Sequence, residues 1–114
     1  EGLLIAQIEN RPGLDNLERI AAVDGIDILW IGGSDLSNFL GIPGQFDHPD
    51  FVEALERVVD ACNRNNIAAG YLVNTVDEGA LRLRQGFRCL AYGGDLWLYR
   101  RSLRQGIEGL RASV

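Results

Sequence analysis

Apolar residues in this chain fall into short runs separated by stripes of helical period. Four runs stand out: residues 3–6, residues 28–31, residues 67–73 and, interrupted by Arg88, residues 87–92. Runs of this length, apolar on both sides, predict strands buried in a parallel sheet. The first strand is read over residues 3–9 and the second over residues 27–31. The stripes between the runs predict helices. Leu14, Leu17, Ile20 and Ala21 share one face of a helix that follows Pro12-Gly13 and closes at the Asp24-Gly25 turn. A short helical turn is expected around residues 36–40. A second long helix begins near Pro49, capped by Asp47 or His48, with Phe51, Leu55, Val58, Val59 and Cys62 as its buried stripe. Thr75 and Glu78 have capping-box spacing and start a third, which runs to about Gln85 before Gly86. The last helix starts near Asp95, with Leu96, Tyr99, Leu103, Ile107 and Leu110 as an apolar stripe. Residues 41–48 form a loop too long to be a mere connector.

Strict alternation of strand and helix predicts an α/β fold, a parallel sheet covered by helices. The four parallel βα units correspond to half of a (β/α)8 TIM barrel, whose full length is about 250 residues. A four-stranded open sheet is the alternative. At 114 residues the chain is one domain or a piece of one, and residues 1–114 read as a single half-barrel segment. It opens on Glu1 rather than Met and enters a strand almost at once, which reads as a fragment. A half-barrel alone exposes two unpaired sheet edges.

Apolar residues make up 46% of the chain, enough for a real core, and the net charge of −5 argues against nucleic acid and anionic membrane as partners. No apolar run reaches the length of a membrane-spanning helix, and the first residues lack signal-peptide order. Cys62 falls on a helix stripe and Cys89 in a strand, far from C-x-x-C spacing. Both are expected as buried reduced thiols, and the compartment reads as cytoplasmic.

Candidate chemistry sits where two of the apolar runs stop. The first leads into Gln7-Ile8-Glu9-Asn10 and the second into Gly32-Gly33-Ser34-Asp35-Leu36-Ser37. Strands that are neighbours in sequence are usually neighbours in space, so Glu9 and Asp35 should emerge together at the carboxyl edge of the sheet, where α/β enzymes do their chemistry. Two carboxylates without a basic neighbour repel, and a hard divalent cation resolves that. Each residue also has a plainer reading. Glu9 is a solvated or ion-paired acid, Asp35 the N-cap of the following turn, Gln7 an interior hydrogen-bonding residue, Ser34 a turn residue, Leu72 core and His48 a loop or cap residue. Gly93-Gly94-Asp95 reads as a tight turn or a phosphate cradle, and Arg100, Arg101 and Arg104 as a solvated helix face. There is no P-loop motif and no histidine pair for zinc.

Together with residues 40–49 (Leu-Gly-Ile-Pro-Gly-Gln-Phe-Asp-His-Pro), Gly86-Phe87-Arg88 and residues 91–96, these motifs resemble the HpcH/HpaI aldolases over nearly the whole chain. Members are class II pyruvate aldolases that use a divalent cation (Mg²⁺, Mn²⁺ or Co²⁺) and act on 2-keto-3-deoxy sugar acids and 4-hydroxy-2-oxoacids. The resemblance implies Glu9 and Asp35 as metal ligands and the Ser34 and Asp35 backbone amides as the pyruvate-carboxylate site. It implies Gln7 as a residue facing pyruvate and Leu72 as one lining the aldehyde side. It further implies a 2-keto acid and an aldehyde as reactants, and a homo-oligomer, often a hexamer, whose last helix packs on a neighbouring barrel. The family's catalytic arginine and histidine base belong to the first half of the barrel, which has no counterpart here, so no catalytic residue is assigned in this chain. His48 does not replace that base.

Overall fold

The computed structural model describes residues 2–114. In chain order it runs β1 (Ile5–Ile8), α1 (Arg11–Asp15), α2 (Leu17–Ala21), β2 (Ile28–Ile31), α3 (Gly33–Phe39), α4 (Pro49–Arg64), β3 (Ala68–Val73), α5 (Val76–Arg84), β4 (Cys89–Tyr92) and α6 (Asp95–Ala112). The strands form one parallel sheet in the order β1-β2-β3-β4. A sheet wound on both faces reverses its strand order somewhere. This one does not, so right-handed crossovers put every connecting helix on the same face. That is the winding of a barrel wall rather than of a doubly wound sheet, although the four strands of this chain do not close on themselves.

Register gives the two faces different characters. Gln7 pairs with Trp30, Trp30 with Gly70, and Gly70 with Cys89, so these share a face. Ile8, Leu29, Ile31, Ala69, Tyr71 and Val73 point the other way, into the helices, and all are buried. There α4 packs on β2 and β3, and α5 packs on β3. Phe51, Leu55, Val58, Val59 and Cys62 bury the expected stripe of α4. The face that carries Gln7 has no helix over it among the described residues. Parallel strands are normally covered on both faces. In a closed barrel this open face is the interior.

Local sequence accounts for the helix ends. His48 caps α4, its Nδ1 accepting from the Asp50 amide at 3.2 Å, ahead of Pro49. Thr75 Oγ1 accepts from the Glu78 amide at 3.1 Å, and Glu78 reaches back to the Asn74 amide at 2.8 Å, completing the capping box one residue early. The first predicted helix is instead two short ones. Asn16, with φ −103°, ends α1 and precedes α2, and its side chain bonds the Pro12 carbonyl at 2.9 Å. The break still leaves Leu14, Leu17 and Ala21 buried.

The last helix departs from expectation. It forms from Asp95 as predicted, yet none of its residues is buried, and Leu96, Tyr99, Leu103, Ile107 and Leu110 are all exposed. Among the described residues, one side-chain hydrogen bond ties it back to the sheet edge, from the Arg101 guanidinium to the Asn74 carbonyl at 2.8 Å. The radius of gyration is 16.7 Å, against about 13 Å for a compact chain of this length. The stripe of α6 therefore serves no wall of this chain.

Cys62 is buried, while Cys89 is only half-buried, because its strand position faces the uncovered side; both are free thiols. Burial pushes the Cys62 thiol up to about 11. The folded state thus resists ionisation of this thiol, while the unfolded chain ionises it near its ordinary value of about 8.5. Its contribution to stability is fully present below that value and lost as pH rises toward 11. Urea titrations between pH 8 and 11 should show unfolding free energy falling by roughly 2–3 kcal/mol. Cys62→Ala should flatten that slope; an unchanged slope would assign it to other groups. Among the described residues no helix is long and apolar enough to cross a membrane.

Candidate functional site

Glu9 follows the last residue of β1 and Gly32 the last residue of β2, which places both at the carboxyl edge of the sheet. The Gly32 amide donates to the Ile8 carbonyl at 3.1 Å, carrying the ladder one step past the strands. Gln7 Nε2 donates to Glu9 Oε2, so the amide fixes the carboxylate on the uncovered face. Gly32 lies against this pair. A Cβ there would fall 2.9 Å from Glu9 Cβ, an atom fixed by the backbone, and 2.7 Å from the more adjustable Gln7 Nε2, so the close approach favours glycine.

The backbone then turns directly into α3, with Gly32 in the cap position and Gly33, Ser34 and Asp35 as the first three helical residues. The helix begins earlier than the sequence suggests, with Gly32 rather than Asp35 in the cap position. Ser34 and Asp35 are exposed. The turn is fastened from behind by Ser37, a buried residue whose hydroxyl donates to the Ser34 carbonyl at 2.8 Å and accepts from the Gly44 amide at 3.1 Å. Residues 41–48 are thereby tied to the turn that carries Asp35.

The structure brings Gln7, Glu9 and the Gly32–Asp35 turn together. Leu72, half-buried, lies two residues beyond Gly70 on the same uncovered face, paired with Ala91. His48 is spent on capping α4. Gly93, at φ +65°, makes the tight turn into α6, with Gly94 in the cap position.

Neither Glu9 nor Asp35 takes part in the ion pairs found among the described residues, which are His48–Asp50 and Arg64–Glu18. No group of three or more His, Cys, Asp or Glu suited to a metal occurs there either. A closed structural zinc site needs four such ligands. Two oxygen donors suit a hard cation of the Mg²⁺ or Mn²⁺ kind, which keeps waters and takes substrate oxygens in its remaining positions. The residues present fit that group.

Three features were not legible as site residues in the sequence. Trp30 lies on the uncovered face in register with Gln7, and its indole occupies the place a side chain at position 70 would take, since a Cβ on Gly70 would come within 2.5 Å of the ring. Tyr71 and Arg82, from the covered face, form a buried pair beneath the Gly33 turn, with the guanidinium carbon 4.7 Å from the ring centre. Burial also raises the Tyr71 phenol above its ordinary pKa. An available signal was alternation in β3, where Ala69, Tyr71 and Val73 fall on one side. Another was the spacing of Gly79 and Arg82 on one face of α5.

A 36% identical relative, the hydroxypyruvate/pyruvate aldolase of Paraburkholderia phytofirmans, aligns over 95% of this chain and 42% of its own length. The 5-keto-4-deoxy-D-glucarate aldolase of Shigella boydii is 32% identical over 85% of this chain and 38% of its own length. Among solved structures, a HpcH/HpaI aldolase/citrate lyase family protein from Burkholderia cenocepacia superposes with a TM-score of 0.91 at 32% identity, covering 96% of this chain and 42% of the other. The chain thus spans about two-fifths of the length of the proteins it matches. Residues 1–102 match the description HpcH/HpaI aldolase/citrate lyase, and the chain belongs to that family.

Proposed function

We propose that residues 1–114 are the carboxyl-terminal half-barrel segment of a class II pyruvate aldolase. In the complete (β/α)8 barrel it would reversibly cleave 2-keto-4-hydroxy acids to pyruvate and an aldehyde. The observation that carries this reading is the meeting of the Gln7–Glu9 pair with the Gly32–Asp35 turn at the carboxyl edge, on the face that a barrel encloses. Glu9 and Asp35 hold the divalent cation, Mg²⁺, Mn²⁺ or Co²⁺. When bound, it would supply Lewis-acid stabilisation for the negative charge that develops on the keto oxygen as the carbon–carbon bond breaks. Gln7 orients Glu9 and faces pyruvate. The Ser34 and Asp35 amides, at the positive end of α3, receive the pyruvate carboxylate. Leu72 walls the aldehyde side and keeps water away. The arginine and the base that moves protons come from the first half of the barrel. The same residues would serve oxaloacetate decarboxylation or another carbon–carbon lyase reaction, and the family description includes citrate lyase. Product analysis separates these.

The experiment is an aldol-cleavage assay on this chain complemented with the first βα units of a relative. Pyruvate should form with Mn²⁺, stop with EDTA and resume on adding Mn²⁺ back. Cleavage that persists in EDTA would sink the proposal.

A second reading rests on the bare face of the sheet, its two free edges and the exposed stripe of α6. In it the chain is an assembly module that pairs with a complementary half-barrel or joins a homo-oligomer, its last helix lying on a neighbour. Light scattering after size exclusion decides, and a stable monomer would count against it.

A further inference from the structure

The Gly32-Gly33 pair is pressed from both sides of the sheet. On the uncovered side Gln7 and Glu9 abut Gly32. On the covered side the Tyr71 hydroxyl abuts Gly33, where a Cβ would lie 2.8 Å from it and 3.3 Å from the ring carbon that bears it. Tyr71 has little freedom to move away. It is 5% exposed, packs edge-on against Phe87 with ring centres 5.7 Å apart, and has the Arg82 guanidinium over its face. Arg82 is itself 6% exposed and bonds Gln85 Oε1 at 2.8 Å, while its Nε has no hydrogen-bond partner. A buried cation with no carboxylate against it costs stability, and core packing alone would be better served by an apolar side chain. What this arrangement secures is a rigid, protonated phenol directly under the backbone that joins β2 to Asp35.

From this we infer that Tyr71, braced by Arg82, is a positioning residue that sets the height of the Gly32-Gly33 step and so the placement of Asp35 relative to Glu9. The inference rests on the metal-site reading above for its functional meaning, but the geometry it asserts can be measured without a metal. Two amides report on the step. Gly32 donates to the Ile8 carbonyl at 3.1 Å, and Leu36 donates to the Gly32 carbonyl at 2.8 Å. The Ala68 amide, bonded to the Asp27 carbonyl at 2.9 Å, serves as a reference elsewhere in the sheet.

Hydrogen exchange followed by NMR on the whole chain tests it. Tyr71→Phe keeps the ring and removes the hydroxyl. It should speed exchange at Gly32 and Leu36 by about five- to tenfold and leave Ala68 within about twofold. Arg82→Met should have the same local effect, and Arg82→Lys, which keeps a cation over the ring, should restore most of the protection. Mn²⁺ affinity measured on the same samples should fall by a similar factor in Tyr71→Phe. Unchanged exchange at Gly32 and Leu36 would overturn the inference. So would an equal rise at Ala68, which would mark Tyr71 as general core. Failure of the wild-type chain and every variant to bind Mn²⁺, with the local exchange effect present, would overturn the metal reading and leave the positioning role standing.

Discussion

Replacing Asp35 by alanine is expected to abolish aldol cleavage by the complemented barrel, with a loss of roughly a thousandfold or more in kcat/KM, while leaving the fold intact. The two halves of this expectation have separate causes. Asp35 is exposed at the third position of α3 and is not the cap of that helix. Alanine is the better helix former, and the favourable interaction of an acid with the helix start is worth only about 0.3–1 kcal/mol. Thermal unfolding should therefore barely move. The catalytic loss follows if Asp35 is one of only two protein ligands, because a cation held by Glu9 alone would leave with the solvent and take its charge stabilisation with it; one well-aimed electrostatic contact is worth about 3–4 kcal/mol. Glu9→Gln should behave alike. A variant that keeps a tenth of the activity would remove Asp35 from the site.

The largest effect on stability is expected from Phe51→Ala. Phe51 sits in the first turn of α4, is fully buried and ranks among the largest side chains of the core. Removing such a ring costs about 3–5 kcal/mol. The stability available to a domain of this size is about 5–15 kcal/mol, so the variant should unfold at far lower urea. The consequence reaches the site. Phe46 packs edge-on against Phe51 with ring centres 5.4 Å apart, and the same loop is tied through Gly44 to Ser37 behind the Asp35 turn. A midpoint shift near that of an exposed substitution would mean the loop, rather than the core, takes up the loss.

Much of this was legible in the sequence, and the misses share a cause. The four apolar runs marked the strands correctly because a buried strand needs no partner information to be recognised. Their ends were read too long: Leu3 and Leu4 are exposed, at 73% and 54%, beyond the start of β1. Apolar residues there imply burial on both faces, and in this chain one face has no cover. The arrival of Glu9 and the Gly32–Asp35 turn at one edge of the sheet could be read because sequential parallel strands lie side by side. The early start of α3 could not, since it depends on how closely Gly32 and Gly33 approach Glu9 and Tyr71 across the sheet. The stripe of α6 correctly marked a helix with an apolar face. A periodic pattern says that a helix has such a face, and not what the face meets. Arg82 was hidden for a similar reason, because an arginine between Leu81 and Leu83 looks like any solvated position until the ring beneath it is placed.

The most direct test of the metal site is a calorimetric titration of this chain with Mn²⁺, with and without pyruvate, beside its Asp35→Ala variant. Binding that pyruvate tightens and Asp35→Ala removes is the expected result, and it would establish a half-site formed by Glu9 and Asp35. A folded chain that binds no Mn²⁺, or binds it equally without Asp35, would contradict the assignment of these two carboxylates.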